Sequence, residues 1–255
     1  MADLLVKRDD LREWRVAPSE APEPADGEAV LRVESFGLTA NNVTYAVFGE
    51  IMRYWDFFPA PEGWGRLPTW GFAEVAASRA DGLDPGGHVF GYLPSSEHLV
   101  VDVADADETG FVDAAEHRAE LPSAYQRYLL SSHDPFYDDA TEELQMLLRP
   151  LFFTSFLLDD DLADGGLAGA GTVVFSSASS KTALAAAFLL AQRTEVEVVG
   201  LTSPANAGFV EGLAIYDEVL PYDALESLDR DRAAFVDFSA TPRCAGGSIA
   251  RSAAR

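Results

Sequence analysis

Thr172-Val173-Val174-Phe175-Ser176-Ser177-Ala178-Ser179-Ser180-Lys181-Thr182 decides the fold of this chain. An apolar strand, Thr172 to Phe175, runs into a polar turn, Ser176 to Ser180. Lys181 to Arg193, rich in Ala and Leu, follows as a helix, and Val196 to Leu201 is a second near-continuous apolar strand. Strands that are apolar throughout suit a parallel sheet covered on both faces. The strand–turn–helix–strand order implies a right-handed crossover. Amides at the start of such a helix favour an anion, with the helix dipole behind them. The seat runs from Ser177 to Thr182, where the hydroxyls of Ser179, Ser180 and Thr182 and the ammonium of Lys181 add to the amides. A serine there also caps a helix without any ligand, and spacing alone does not separate the two readings.

Two known phosphate loops fit poorly. The nucleotide-triphosphate loop needs glycine where Phe175 and Ser180 stand, and only Lys181-Thr182 matches it. The G-x-G-x-x-G dinucleotide pattern is replaced by small residues. The second strand runs into Leu201-Thr202-Ser203-Pro204-Ala205-Asn206 and has no acid there to hold a ribose 2′-hydroxyl. Thr202, Ser203 and Asn206 offer donors to a 2′-phosphate instead, which favours NADP(H) over NAD. Further along, Phe209 to Ile215 reads as a helix, with strands at Asp217 to Leu220 and Phe235 to Phe238.

Upstream the pattern is different. Val30 to Phe36 alternates as a half-buried strand, and Asn41 to Glu50 is a short helical piece. Phe72 to Ala77 and His88 to Tyr92 are strands joined by Asp84-Pro85-Gly86-Gly87, a strong turn signal. His98 to Val103 is another strand, and Pro59 to Pro68 a loop. Short strands with Gly/Pro turns suit a small antiparallel barrel. Ala124 to Ser131 and Thr141 to Leu158 read as helices, closed by a solvated break at Asp159-Asp160-Asp161 and Gly165-Gly166.

Composition bounds the function. The 255 residues carry a formal net charge of -24, which repels nucleic acid and anionic membrane surfaces. Hydrophobic residues make up 48%, enough for a real core. The single cysteine, Cys244, cannot form an internal disulfide. The N-terminus has no signal-peptide pattern and no apolar run reaches membrane-spanning length, so the expected compartment is the cytoplasm. Clustered Cys/His spacings and a G-x-S-x-G elbow are missing. His88 and His98 fall in strands and read as structural.

The order of these pieces resembles the medium-chain dehydrogenase/reductase superfamily, in its quinone-reductase-like branch. Four stretches carry the likeness: Gly37 to Tyr45, Asp84 to Gly91, Leu151 to Ser155, and Val173 to Tyr222. The resemblance implies an α/β chain with a GroES-like β-barrel domain over 1–122. Connecting helices over 123–165 and a partial Rossmann domain over 166–241 would follow. It implies NADPH as cofactor, Thr154 beside the nicotinamide, and Asn42 and Tyr45 at the substrate, with Tyr45 a donor to the substrate oxygen. Leu38 to Asn42 and Gly71 to Glu74 lack the cysteine and Gly-His-Glu of the zinc-dependent members, so no catalytic metal is expected. Homodimers are frequent in the family. The glycine-poor turn equally suits an accessory protein that kept the fold without catalysis.

The resemblance also implies further strands beyond Ala240, where an Arg/Ala/Ser tail follows instead. That is the pattern expected of a truncated chain or a reading-frame error. Pro242 to Arg255 has no helix or strand period, and Ile249 is its only large aliphatic residue. Burying one such side chain contributes roughly 1.5–3 kcal/mol, against roughly 1–2 kcal/mol of backbone entropy for each residue ordered. Deleting Pro242 to Arg255 is therefore expected to leave the melting temperature unchanged. A large drop would show that the tail packs.

Overall fold

The computed structural model describes residues 2–192, 196–227 and 233–238. The chain forms two compact units, 1–147 and 148–255. The tail from Pro242, and Arg193 at the expected end of its helix, lie outside the described residues.

The first unit is built on a closed barrel. Its strands are β3 (Glu28–Gly37), β5 (Pro68–Ser78), β6 (His88–Pro94), β7 (His98–Asp107), β8 (Gly110–Asp113) and β9 (Arg127–Leu130), in the order β3-β5-β6-β9-β8-β7. Closure leaves no free sheet edge among them. Irregular register at Val30/Leu31 and Val33/Ser35 marks bulges that bend β3 around the barrel. Gly86, with φ +89, makes the turn from β5 to β6 that Asp84-Pro85-Gly86-Gly87 announces. Ala29, Leu31, Val75, Val89, Phe111 and Tyr128 fill the interior. Two strands near the N-terminus, β1 (Ala2–Lys7) and β2 (Trp14–Pro18), pair with each other, and β1 also pairs with β4 (Trp64–Arg66). Helix α1 (Ala40–Val47) follows β3.

One expectation for this unit is corrected. Ala124 to Ser131 does not form a helix. A short 3₁₀ turn at Ser123–Tyr125 leads into β9, which pairs with β6 and β8 and completes the barrel. Tyr128 explains the outcome: its ring is fully buried, stacked on Phe111 at 5.1 Å, and its hydroxyl donates to Tyr92 O at 2.7 Å. Packing overrides local helix preference here.

Helix α2 (Glu142–Asp164) is longer than expected. Asp159 is buried within it, so Asp159 to Asp161 is not a solvated break. The second unit then carries β10 (Thr172–Phe175), α3 (Lys181–Leu190), β11 (Glu197–Thr202), α4 (Pro204–Gly212), β12 (Glu218–Pro221) and β13 (Ala233–Val236). The four strands are parallel, in the order β12-β11-β10-β13. The chain thus steps outward from β10 to β12 and returns to β10's other side. Val173, Phe175, Ala186, Leu190, Val198 and Val210 form its core. Among the described residues no helix is long and apolar enough to cross a membrane.

A buried ion pair sits inside the first unit. Arg118 is 1% exposed; its Nη1 lies 2.9 Å from Asp113 Oδ2, and its guanidinium covers the Phe58 ring at 4.9 Å. Burial pushes the Asp113 carboxyl upward, against the pull of Arg118. Asp113 Oδ1 also accepts the amides of Asp102 and Ala115. Asp113→Ala strands a buried guanidinium, and is expected to cost about 3–5 kcal/mol in urea unfolding. A loss below ~1 kcal/mol, the range of an exposed pair, would show that Arg118 finds another partner.

Candidate functional site

In the barrel unit the sequence folds so as to aim Tyr45. Thr39 caps α1, its hydroxyl accepting the Asn41 amide at 3.2 Å. Asn42 completes the cap by accepting the Thr39 amide at 2.6 Å, while its Nδ2 donates to Pro68 O at 2.8 Å. Both polar atoms of Asn42 are engaged within the protein, so this residue fixes α1 against the start of β5. Tyr45, one turn later on the same face, is 6% exposed. Its hydroxyl accepts from Trp70 Nε1 at 3.2 Å, which leaves its own proton to give.

Aromatic rings surround Tyr45. Tyr54 lies 4.7 Å away and Tyr92 5.6 Å, while Trp70 and Tyr125 lie 5.1 and 4.7 Å from Tyr92. Tyr54, Trp70 and Tyr125 are half-buried and form the rim. Tyr92 is fully buried, and its hydroxyl has no hydrogen-bond partner among the described residues. Sequence reading missed Tyr54, Trp70, Tyr92 and Tyr125, which come from four separate segments. His88 stacks on Phe72 at 5.1 Å, with Nδ1 3.0 Å from Ser131 Oγ, a structural placement.

In the second unit the turn after β10 sits where the sheet order reverses, between β11 and β13. Ligands of doubly wound sheets bind at that switch point. Ser176 ties it together: its hydroxyl donates to Asp237 at 2.5 Å and accepts the Phe238 amide at 2.7 Å, just past β13. Ser177 takes a left-handed φ of +49, and its amide donates to the Tyr222 hydroxyl at 2.9 Å. Ala178 donates to Leu201 O, and Gly200 lets the turn lie close, since a Cβ there would come within 2.9 Å of Ala178 and Tyr216. Ser180 caps α3, its hydroxyl accepting the Ala183 amide. The amides of Ser179, Lys181 and Thr182 have no hydrogen-bond partner among the described residues. Three unpaired amides at a helix start with an exposed lysine fit a diphosphate.

The remaining expected residues divide. Asn206 is exposed and its Nδ2 donates to Ser179 Oγ at 3.1 Å, so α4 and the turn meet. Ser203 stands at the N-cap of α4 and uses no side-chain bond there. Thr202 is buried at the end of β11, 1% exposed, which closes its hydroxyl to a ligand from solvent. Thr154 is exposed on α2 and turns its hydroxyl back to Pro150 O at 3.3 Å. Its neighbour Ser155 is buried, with Oγ 2.9 Å from both Leu151 O and Thr182 O, and so ties α2 to the first turn of α3. Ser155 and Tyr222 were also missed. The signal for Tyr222 was its place just after a strand of the nucleotide-binding pattern.

A closed barrel followed by a parallel sheet with this reversal is a GroES-like domain with a Rossmann-type one, the fold of the medium-chain dehydrogenases and reductases. Solved structures agree on the fold. CurA of Vibrio vulnificus in complex with NADPH superposes with a TM-score of 0.54 at 15% identity, over 89% of this chain and 59% of that one. The human synaptic vesicle membrane protein VAT-1 homolog-like protein gives 0.56 at 16%, over 90% and 64%. The quinone oxidoreductase of Coxiella burnetii gives 0.52 at 14%, over 93% and 68%. The chain thus spans less than two thirds of the length of the first two. No curated protein matches. The sequence pattern of DUF2855, a protein family of unknown function, matches residues 36–250, and the chain belongs to that family.

The tyrosines set an alkaline limit on the barrel unit. Burial holds the phenols of Tyr45 and Tyr92 above the usual range and pushes Tyr128 from 10.0 up to about 12. Between those values the unfolded chain releases a proton that the folded chain keeps. Stability is therefore full below pH 10 and falls as pH rises towards about 12. Tyrosinate absorbance is expected to appear together with loss of near-ultraviolet circular dichroism. A full phenolic titration near pH 10 with the fold intact would refute this.

Proposed function

We propose that this chain is an NADPH-dependent, zinc-free reductase of a quinone, enone or other carbonyl compound, acting on a small molecule in the cytoplasm. The observation that carries the reading is the seat at the switch point: three unpaired amides at the start of α3, beside Lys181. Ser179, Lys181 and Thr182 would hold the diphosphate, with Ser177 and Ser180 shaping the turn. Ser203 and Asn206 would meet the 2′-phosphate, and Thr154 the nicotinamide side. NADPH, when bound, supplies a hydride; reduction of a quinone to its hydroquinone consumes one NADPH and one proton. Tyr45 would donate a hydrogen bond to the substrate oxygen. Burial keeps its phenol protonated at neutral pH, and Asn42 acts through it by fixing α1.

A second reading has its own observation. The Ser177 amide is already taken by Tyr222 and that of Ala178 by Leu201 O. A turn with fewer donors suits a protein that kept the fold as a non-catalytic accessory.

NADPH fluorescence titration of the purified chain separates the readings. The reductase is expected to bind, and Lys181→Ala to weaken binding about tenfold, the loss of one charge-assisted contact. Absence of binding at millimolar cofactor overturns the proposal. Binding without consumption over a panel of quinones and enones favours the accessory protein.

A further inference from the structure

A cavity of about 230 Å³ opens on the barrel unit, and neither Tyr45 nor any ring of its rim lines it. Ser19, Glu20 and Pro22, in the segment after β2, form one part of its lining; His98, Leu99 and Val100, at the start of β7, form another. Phe58 and Pro94 add apolar surface, and Asp3 and Arg66 bring charge. Pro18, Pro22 and Pro24 restrict the backbone of the segment after β2, so Glu20 is presented from a stiffened strap.

The polar groups here offer more acceptors than donors. Arg66 is the one arginine in the lining, which holds no lysine, and its charge is already answered. Its Nε and Nη2 donate to Asp3 Oδ2 at 3.1 and 2.5 Å, and its Nη1 donates to Pro59 O. Asp3 is 9% exposed, and both of those bonds fall on the same oxygen. Its Oδ1 takes no hydrogen bond among the described residues. Glu20 is exposed and has neither an ion pair nor a hydrogen bond among them. The Ser19 hydroxyl and the His98 ring are also without a partner there.

Charge and size then select the occupant. Asp3 and Glu20 against Arg66 leave one negative charge at the cavity, and the chain carries -24 in all, which repels an anion and attracts a cation. An ammonium has three N–H donors and no acceptor, which matches Asp3 Oδ1, the Glu20 carboxylate and the Ser19 oxygen. A cavity of about 150 Å³ holds benzene, so one of about 230 Å³ takes a body of about nine non-hydrogen atoms. Phe58, Leu99 and Val100 supply the apolar contact for such a body.

We propose that this cavity binds a small primary amine with an apolar body, its ammonium held by Glu20 and the free oxygen of Asp3, its carbon skeleton against Phe58, Leu99 and Val100. The site lies wholly within the barrel unit and does not depend on the reductase reading.

Isothermal titration calorimetry of the purified chain in about 0.15 M salt tests it with three ligands of similar size. Phenethylamine is expected to bind one per chain with a Kd below about 1 mM. 2-Phenylethanol, which lacks the charge, should bind more than tenfold more weakly, and phenylacetate should not bind. Glu20→Gln is expected to leave the melting temperature unchanged and to weaken the amine about fivefold, the loss of an exposed ion pair. Glu23→Gln, on the same strap but outside the cavity lining, should leave the Kd as it is. Equal binding of amine and alcohol, or no saturable binding of the amine at about ten times the expected Kd, overturns the site. So does an equal loss in both variants, which would mean diffuse attraction to an acidic surface. A Glu20→Gln variant that binds like the wild type overturns the role given to that carboxylate.

Discussion

Arg118 is the constraint on which the barrel unit turns. A guanidinium cannot shed its proton, so burying it forces the surroundings to answer its charge. Asp113 answers from the end of β8. Tyr128, on β9, places its hydroxyl 3.4 Å from Arg118 Nη1 and donates its own hydrogen bond to the Tyr92 carbonyl on β6. Three barrel strands are thereby tied at one level. The rings of Phe57 and Phe58 close over the guanidinium at 5.9 and 4.9 Å. Those rings in turn pack on Tyr92, at 5.3 and 5.6 Å. The charge at the bottom of the stack thus fixes the aromatic floor of the candidate site.

The same logic explains which glycines the barrel spends near that charge. A Cβ on Gly91 would stand 2.3 Å from the Tyr128 ring, and one on Gly110, at φ +149, would stand 1.9 Å from its carbonyl oxygen. Both positions are bare because the Tyr128 ring and backbone need the room. At the turn after β10 the problem is solved differently. Ser177 holds a left-handed φ that glycine would take without strain. The Tyr222 hydroxyl receives its amide there, so a side chain does part of what glycine does in the usual dinucleotide turn.

How far these features were legible in the sequence depended on whether they are local. Thr172 to Phe175 was readable because apolar continuity is a local property, and Asp84 to Gly87 because turn chemistry is. Ala124 to Ser131 was not. Gln126, Arg127, Leu129 and Leu130 favour helix in isolation, and only the pairing of Arg127–Leu130 with β6 and β8 makes them a strand. Asp159 misled in the opposite sense, since a run of three acids normally marks solvent. In the site, Tyr45 and Asn42 came from a resemblance, and hydrogen bonding then gave them different work. Tyr92 and Tyr125 lie 33 residues apart in sequence and 4.7 Å apart in space, and no pattern along the chain carries that proximity.

The two ends of the chemistry are also built to different standards of rigidity. Around Tyr45 every fixed element is over-determined: the α1 cap uses Thr39 and Asn42 reciprocally, Asn42 reaches Pro68, and the Trp70 indole fixes the phenol. Around the turn after β10 the fixed points are fewer and lie at its base: Ser176 on Asp237, Ser177 on Tyr222, Ala178 on Leu201. At the top of the turn the amides of Ser179, Lys181 and Thr182 have no partner among the described residues, and Asn206 reaches Ser179 Oγ. An anion arriving there would pair donors that are otherwise left to water, and it would meet the positive end of α3. A ligand arriving at Tyr45 would instead meet a phenol already aimed and a floor already packed. Binding would order the first site, whereas the second is ordered beforehand by Arg118 and the rings above it.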